Sequence, residues 1–316
     1  MTLALVLLPF LAAVAVGRAA PRLARVLPPA AAVRTLTMAA LATALSCGYV
    51  LALAAATLLA RYPALARAGG WARPVLAAGI PLPAWVGLVP GLLMLGLLAR
   101  ALGCAARQVR ALGRARTLCR ELGAGEQGIV LVEDPEPIAY AVTGFPGRIV
   151  LSTGMSEALP ADELAVLLAH ERSHLRHRHP LYVSACRLAA AANPPLHRVP
   201  AAVAYAAERW ADEDACRTGD RDTAARALAR AGLATLAASG RTVATPAAAH
   251  AARCDVVERV QALRRPRPRA RRGTTLVLLC AIIATVAATV MTSRSTEHRF
   301  ETAAHTYRVE QALQSR

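Results

Sequence analysis

Residues 160–174 read Pro160-Ala161-Asp162-Glu163-Leu164-Ala165-Val166-Leu167-Leu168-Ala169-His170-Glu171-Arg172-Ser173-His174. Asp162 and Glu163 fall in a first helical turn, where negative charge is favoured, and Leu164, Leu167, Leu168 and Glu171 recur at helical spacing. The stretch is therefore predicted to be a helix ending near Pro180, and its apolar first half does not suit a solvated surface. On that helix His170 and His174 lie one above the other and can offer two imidazole nitrogens to one tetrahedral ion such as zinc. Glu171 projects beside such an ion. There it can take a proton from a water whose pKa the ion lowers to about 7, then pass it to a leaving amine.

A catalytic zinc usually has three protein ligands and one open position. Glu208, in Ala206-Ala207-Glu208-Arg209-Trp210-Ala211-Asp212-Glu213-Asp214, is the best third ligand, with His177, His179, His197 and His250 as rivals. Asp212 stands four residues after Glu208, on the same helix face, where it can accept the second N–H of a ligating histidine and fix its tautomer. Glu213 and Asp214 read as a charged, solvated helix end. Oxyanion stabilisation needs a further donor, and Tyr205, Arg209 and His197 are all available.

HExxH followed by ExxxD on a later helix resembles the gluzincin membrane metallopeptidases, which include the BlaR/MecR-type antirepressor proteases and the CAAX-prenyl and heat-shock membrane proteases. The resemblance extends to residues 138–155 and to Asn193-Pro194-Pro195, which is similar to an Asn-Pro of the BlaR/MecR branch. It implies that His170, His174 and Glu208 hold one Zn2+ per chain, that Glu171 is the base and that Asp212 supports a ligand. It also implies a hairpin ahead of the zinc helix whose edge strand pairs with substrate, here Arg148, Ile149, Val150 and Leu151. After Met291 there are about two dozen residues in place of the large penicillin-binding domain of β-lactam sensors, so a β-lactam receptor function is not implied.

The rest of the chain speaks for a membrane. Hydrophobic residues make up 55% of the 316, and aromatics only 4%, so the core must be built from alanine, leucine and valine. The formal charge is +17, and all 37 basic residues are arginine. These arginines flank apolar runs and are not interleaved with aromatics, so membrane topology explains them better than nucleic-acid binding does. Apolar stretches at about 2–17, 35–60, 85–102 and 274–292 are predicted spans. The run Leu181–Ala192 is too short to cross alone, and a hairpin resting on or dipping into the bilayer is its only membrane option.

The strongest arginine clusters, Arg100–Arg120 and Arg264–Arg272, bracket the centre of the chain and place it in the cytoplasm, with both termini outside. Arg18–Arg34 and Arg61–Arg73 are read as loops, and residues 293–316 as a short extracytoplasmic tail. The seven cysteines show no CxxC spacing and are expected as free thiols.

The predicted architecture is a mainly α membrane protein of about four transmembrane helices. It carries an α+β, zincin-like (gluzincin) peptidase domain with a small β-sheet across residues 103–273. A basic amphipathic helix is expected from Gly103 to Arg120. Short strands are expected at Ile129–Glu133, Ile138–Val142 and Arg148–Ser152, the last either a substrate-binding edge or part of a plain capping sheet. Helices are expected near 199–217, 222–239 and 254–263, with a mobile loop at Gly240–His250. The expected partners are a protein or peptide substrate, which includes a transcriptional repressor in the signalling reading, and the lipid bilayer. Regulatory proteolysis, membrane-protein quality control and a silent scaffold with structural zinc are the functions compatible with these residues.

Overall fold

The structure is a computed structural model that describes residues 3–78, 83–123, 125–144, 146–239, 256–265 and 272–315. Helices α1 (Leu3–Val26), α2 (Pro29–Leu59), α5 (Leu88–Glu121) and α12 (Arg272–Gln314) are long and apolar enough to cross a membrane. Between α2 and α5 lie two short helices, α3 (Pro63–Gly69) and α4 (Arg73–Ala77). The second half of α5 is the expected basic helix, continuous with the third span.

The supposed loop Arg18–Arg34 is helical except for a break at Leu27-Pro28, and this corrects the sequence reading. Hydropathy falls where the arginines begin, but Ala20, Ala24, Leu27, Ala32, Val33 and Leu36 continue a fully buried helical stripe. That stripe packs on Cys186, Ala189, Val199 and Val203 of the central domain, while Arg18, Arg22, Arg25 and Arg34 face outward. The first two helices thus extend beyond their apolar parts and become walls of the central domain.

That domain holds strands β1 (Ile129–Val132), β2 (Ala139–Val142) and β3 (Arg148–Ser152), followed by α6 (Thr153–Ala158), α7 (Ala161–His177), α8 (His179–Ala192), α9 (Val199–Ala215), α10 (Arg221–Ser239) and α11 (256–264). The sheet order is β1-β3-β2, with β1 parallel and β2 antiparallel to β3. The proposed substrate edge Arg148, Ile149, Val150, Leu151 is therefore wrong: β3 is paired on both sides. Ile149, Val150, Leu151 and Ser152 are all buried, and a run without alternation belongs to a strand covered on both faces. The free edge on the peptidase side is β2, which packs against α7.

Arg178, at φ 53°, ends α7 in the left-handed region, and Pro180 sits in the first turn of α8. Helices α8 and α9 form a hairpin whose turn packs against the middle of α1. A side-chain carbon at Gly17 would collide with the Pro195 carbonyl. The predicted loop 240–250 lies outside the described residues. Beyond its apolar part α12 runs on as one helix, so the sequence after 292 is not a separate tail.

Candidate metal centre

Helix α7 is fixed from both sides before its histidines are considered. Leu164, Leu167 and Leu168 pack on the cluster of Leu151, Met155 and Leu159. At its start Glu163, almost fully buried, lies 3.6 Å from Arg226 and 3.3 Å from Arg230 of α10. At its end Asp214 of α9 accepts from Ser173 Oγ at 2.9 Å and bonds His177 Nε2 at 2.8 Å. Asp214 is therefore not the solvated residue predicted, and Glu213 is not either, since Arg221 forks onto both its oxygens at 2.9 and 3.0 Å.

These clamps hold the histidine-bearing face of α7 against α9. His170 Nε2 and His174 Nε2 stand 3.1 Å apart, and each is 3.5 Å from a different oxygen of Glu208. The three residues offer ligand atoms within 4.8 Å of one another, the only such group of metal-binding side chains among the described residues. Glu171 lies beside them, buried, near Ala141 of edge strand β2.

Both histidines are backed on their far nitrogens, as a metal-bound imidazole requires. His170 Nδ1 is 3.0 Å from Asp212 Oδ1, the role expected of Asp212. His174 Nδ1 is 3.1 Å from His179 Nδ1. Burial lowers His179 to about 3, so it stays neutral and can accept the His174 N–H. His179 in turn packs on Trp210, which His177 stacks at 4.3 Å and Arg34 covers at 4.9 Å.

Arg259 of α11 went unnoticed in the sequence. It forks onto Asp212 at 2.9 and 2.7 Å and reaches Glu208 Oε2 at 3.0 Å. Two carboxylates on one buried helix face call for a cation, and that was the available signal. Among 37 arginines, nothing local distinguished this one.

The electrostatics follow from this packing. Burial pushes Glu208 up, but the bond from His170 and the charge of Arg259 outweigh it and hold the carboxyl at about 2. Asp212, against the same burial, is held by Arg259 and His170 well below the usual carboxylate range. Burial pulls His170 down, but Asp212 and Glu208 raise it to about 10, whereas burial lowers His174 to about 4. The cage therefore gathers positive charge onto His170, at the place a divalent cation would occupy. Donor types, spacing and backing groups all fit zinc.

The rival third ligands are elsewhere. His177 is bonded to Asp214, His179 backs His174, and His197 is exposed and bonded to the Pro194 carbonyl at 3.3 Å. His250 lies outside the described residues. The three supposed oxyanion donors are also corrected. Tyr205 donates to Glu258 Oε1 at 3.1 Å, and Arg209 Nη1 donates to the carbonyls of Ala24 and Arg25 at 2.9 and 3.1 Å. His197 sits in the α8–α9 turn. None lines the cavity at His170 and Glu171, because residue 209 points a quarter-turn away from Glu208, toward α1.

Residues 105–211, roughly a third of the chain, match the family model for Peptidase family M48, a family of zinc metallopeptidases. The matched stretch holds the sheet, the HExxH helix and Glu208, and stops one residue before Asp212. No curated protein and no solved structure matches the chain. Together with the His/His/Glu cluster, the match supports a metallopeptidase.

Proposed function

We propose that the protein is a membrane-embedded zinc metalloendopeptidase that hydrolyses peptide bonds of a protein substrate at the cytoplasmic membrane face. The observation that carries this reading is the convergence of His170 Nε2, His174 Nε2 and a Glu208 oxygen within 4.8 Å, with Glu171 beside them. Zinc held there supplies a Lewis acid that polarises a carbonyl and brings the pKa of water to about 7. Glu171 takes the water's proton and returns it to the leaving amine. Its burial keeps the carboxylate poorly solvated and hence basic. Asp212 and His179 hold the two imidazoles in the tautomers that leave Nε2 free, and Arg259 keeps Asp212 and Glu208 in place.

The substrate lies along β2, not β3. Ala139 and Ala141 turn their backbone away from β3, toward α7, so a polypeptide can add to this edge beside Glu171. On one side is a largely apolar cavity of about 300 Å³ walled by α7, α10 and α11. On the other, a groove of about 560 Å³ lies between α5, β2 and α8. Such a cleft favours an extended chain with apolar side chains. A placed Glu171, which a structural zinc does not need, speaks against a silent scaffold.

Regulatory, antirepressor-type cleavage is the physiological role we favour over general quality control. The support is a folded element at the far ends of α2 and α12, built around Leu76 and Ala303, which offers a place for a signal to be read. The decisive experiment compares membranes carrying the parent and Glu171→Gln proteins. Equal zinc content, loss of cleavage and capture of uncut substrate are expected. Cleavage by the variant would refute the assigned base, and zinc retention by His170→Ala would refute the cage.

A further inference from the structure

At the ends of α2 and α12 remote from His170, the chain builds a small packed unit. Ala60, Leu76 and Ala303 are buried there with Trp71, Val75 and Phe300 around them. Trp71 meets Phe300 edge-on at 5.0 Å. The Ala72 N–H donates to the Ala303 carbonyl at 2.9 Å, and Arg73 Nε donates to the Arg61 carbonyl at 3.1 Å. Gly70, at φ 63°, reverses the chain after α3 against the Tyr307 ring. The segment between the second and third spans is thereby fastened to the last turns of α12.

This unit borders an open cleft of about 570 Å³, lined by Arg61, Arg67, Arg73, Trp71, Tyr307 and Glu310. Three guanidinium groups against one carboxylate leave the space positively charged. In the orientation argued from the arginine flanks this is the outer face, where membrane topology gives no reason for three arginines. Guanidinium forks match the oxygens of carboxylates and phosphates, and the Trp71 and Tyr307 rings offer flat walls to an apolar body.

We propose that this cleft is a second binding site, separate from the metal centre, for an oxyanion-bearing small molecule. Arg61, Arg67 and Arg73 hold its carboxylate or phosphate, and Trp71 and Tyr307 flank its body. The oxyanion comes from a soluble molecule or from a phospholipid headgroup, and the site does not depend on the peptidase reading.

The test uses the full chain in phosphatidylcholine nanodiscs, titrated calorimetrically with benzoate and with inorganic phosphate. In parallel, native mass spectrometry measures how much phosphatidylglycerol the protein retains from mixed membranes. Saturable binding that Arg67→Gln weakens about tenfold or more, the worth of a charge-assisted hydrogen bond, identifies a soluble ligand. Selective retention of phosphatidylglycerol that Arg67→Gln abolishes identifies a headgroup. Arg67 is exposed on α3, so the variant should melt with the parent. Arg73→Gln serves as the second variant if it does not. Absence of both binding and selective retention, or either one persisting unchanged in both variants, overturns the proposal.

Discussion

Glu171 is held where its charge is unwelcome. Burial raises its pKa above the ordinary 4.5, and a group so raised takes stability from the folded state once pH exceeds that value. Glu171→Gln should therefore melt at the same or a higher temperature than the parent at neutral pH, while cleavage falls by about 10²-fold or more. Differential scanning fluorimetry beside a turnover assay checks both halves. Asp212 and Glu208 have the opposite sign. Their depressed pKa values add stability that is complete above about 4.5 and is lost as the pH falls toward 2. His170, raised to about 10, adds stability that is complete below 6.5 and is lost as the pH rises through 10. His174 and His179, both held low by burial, cost stability as the pH falls below 6.5, so metal-free protein should be most heat-stable near pH 6.5. Zinc uptake at neutral pH should release a proton from His170, visible as a buffer-dependent heat of binding. Removing the brace has its own signature: Arg259→Gln should weaken zinc binding by about 10- to 100-fold, measured by competition with a chelator. The cage was legible because its two imidazoles and base lie within one helical turn. Arg259 stands 47 positions after Asp212, on an element whose docking no local pattern announces.

Helices and strands differed in how well the sequence announced them. Spans were found by hydropathy, yet α1 continues nine residues past Gly17 because packing, not hydropathy, decides where a helix stops. Strands of four or five residues offer too few positions for alternation to separate edge from centre. The unbroken burial from Ile149 to Ser152 marks β3 as covered on both faces, where the resemblance implied an edge. The α8–α9 hairpin yields a prediction of its own. Gly17→Ala forces a methyl group against the Pro195 carbonyl and should cost about 1–3 kcal/mol. Gly48→Ala, on the neighbouring span, meets nothing within 4 Å and should be neutral or slightly stabilising. Thermal unfolding of both variants in one detergent separates the close approach from a general effect of adding a methyl group.

At the scale of the whole molecule, the four helices long and apolar enough to cross a membrane were readable from the apolar runs. A reporter fused after residue 160 should be active on the cytoplasmic side, and activity confined to the outside would reverse the plan. Less readable was how far the membrane helices enter the peptidase. Adjacent residues of α11 hold opposite ends of that union: Arg259 grips Asp212 and Glu208, while Glu258 takes Arg25 of α1 together with Tyr205. A soluble excerpt spanning 105–211 would leave behind both the brace and the wall of α1 and α2. It should neither fold nor retain zinc, as circular dichroism and metal analysis would show. The brace is thus tethered to anchorage: a disturbance that slides α1 along its axis drags at Glu258, next in sequence to the residue that grips Asp212 and Glu208 beside His170.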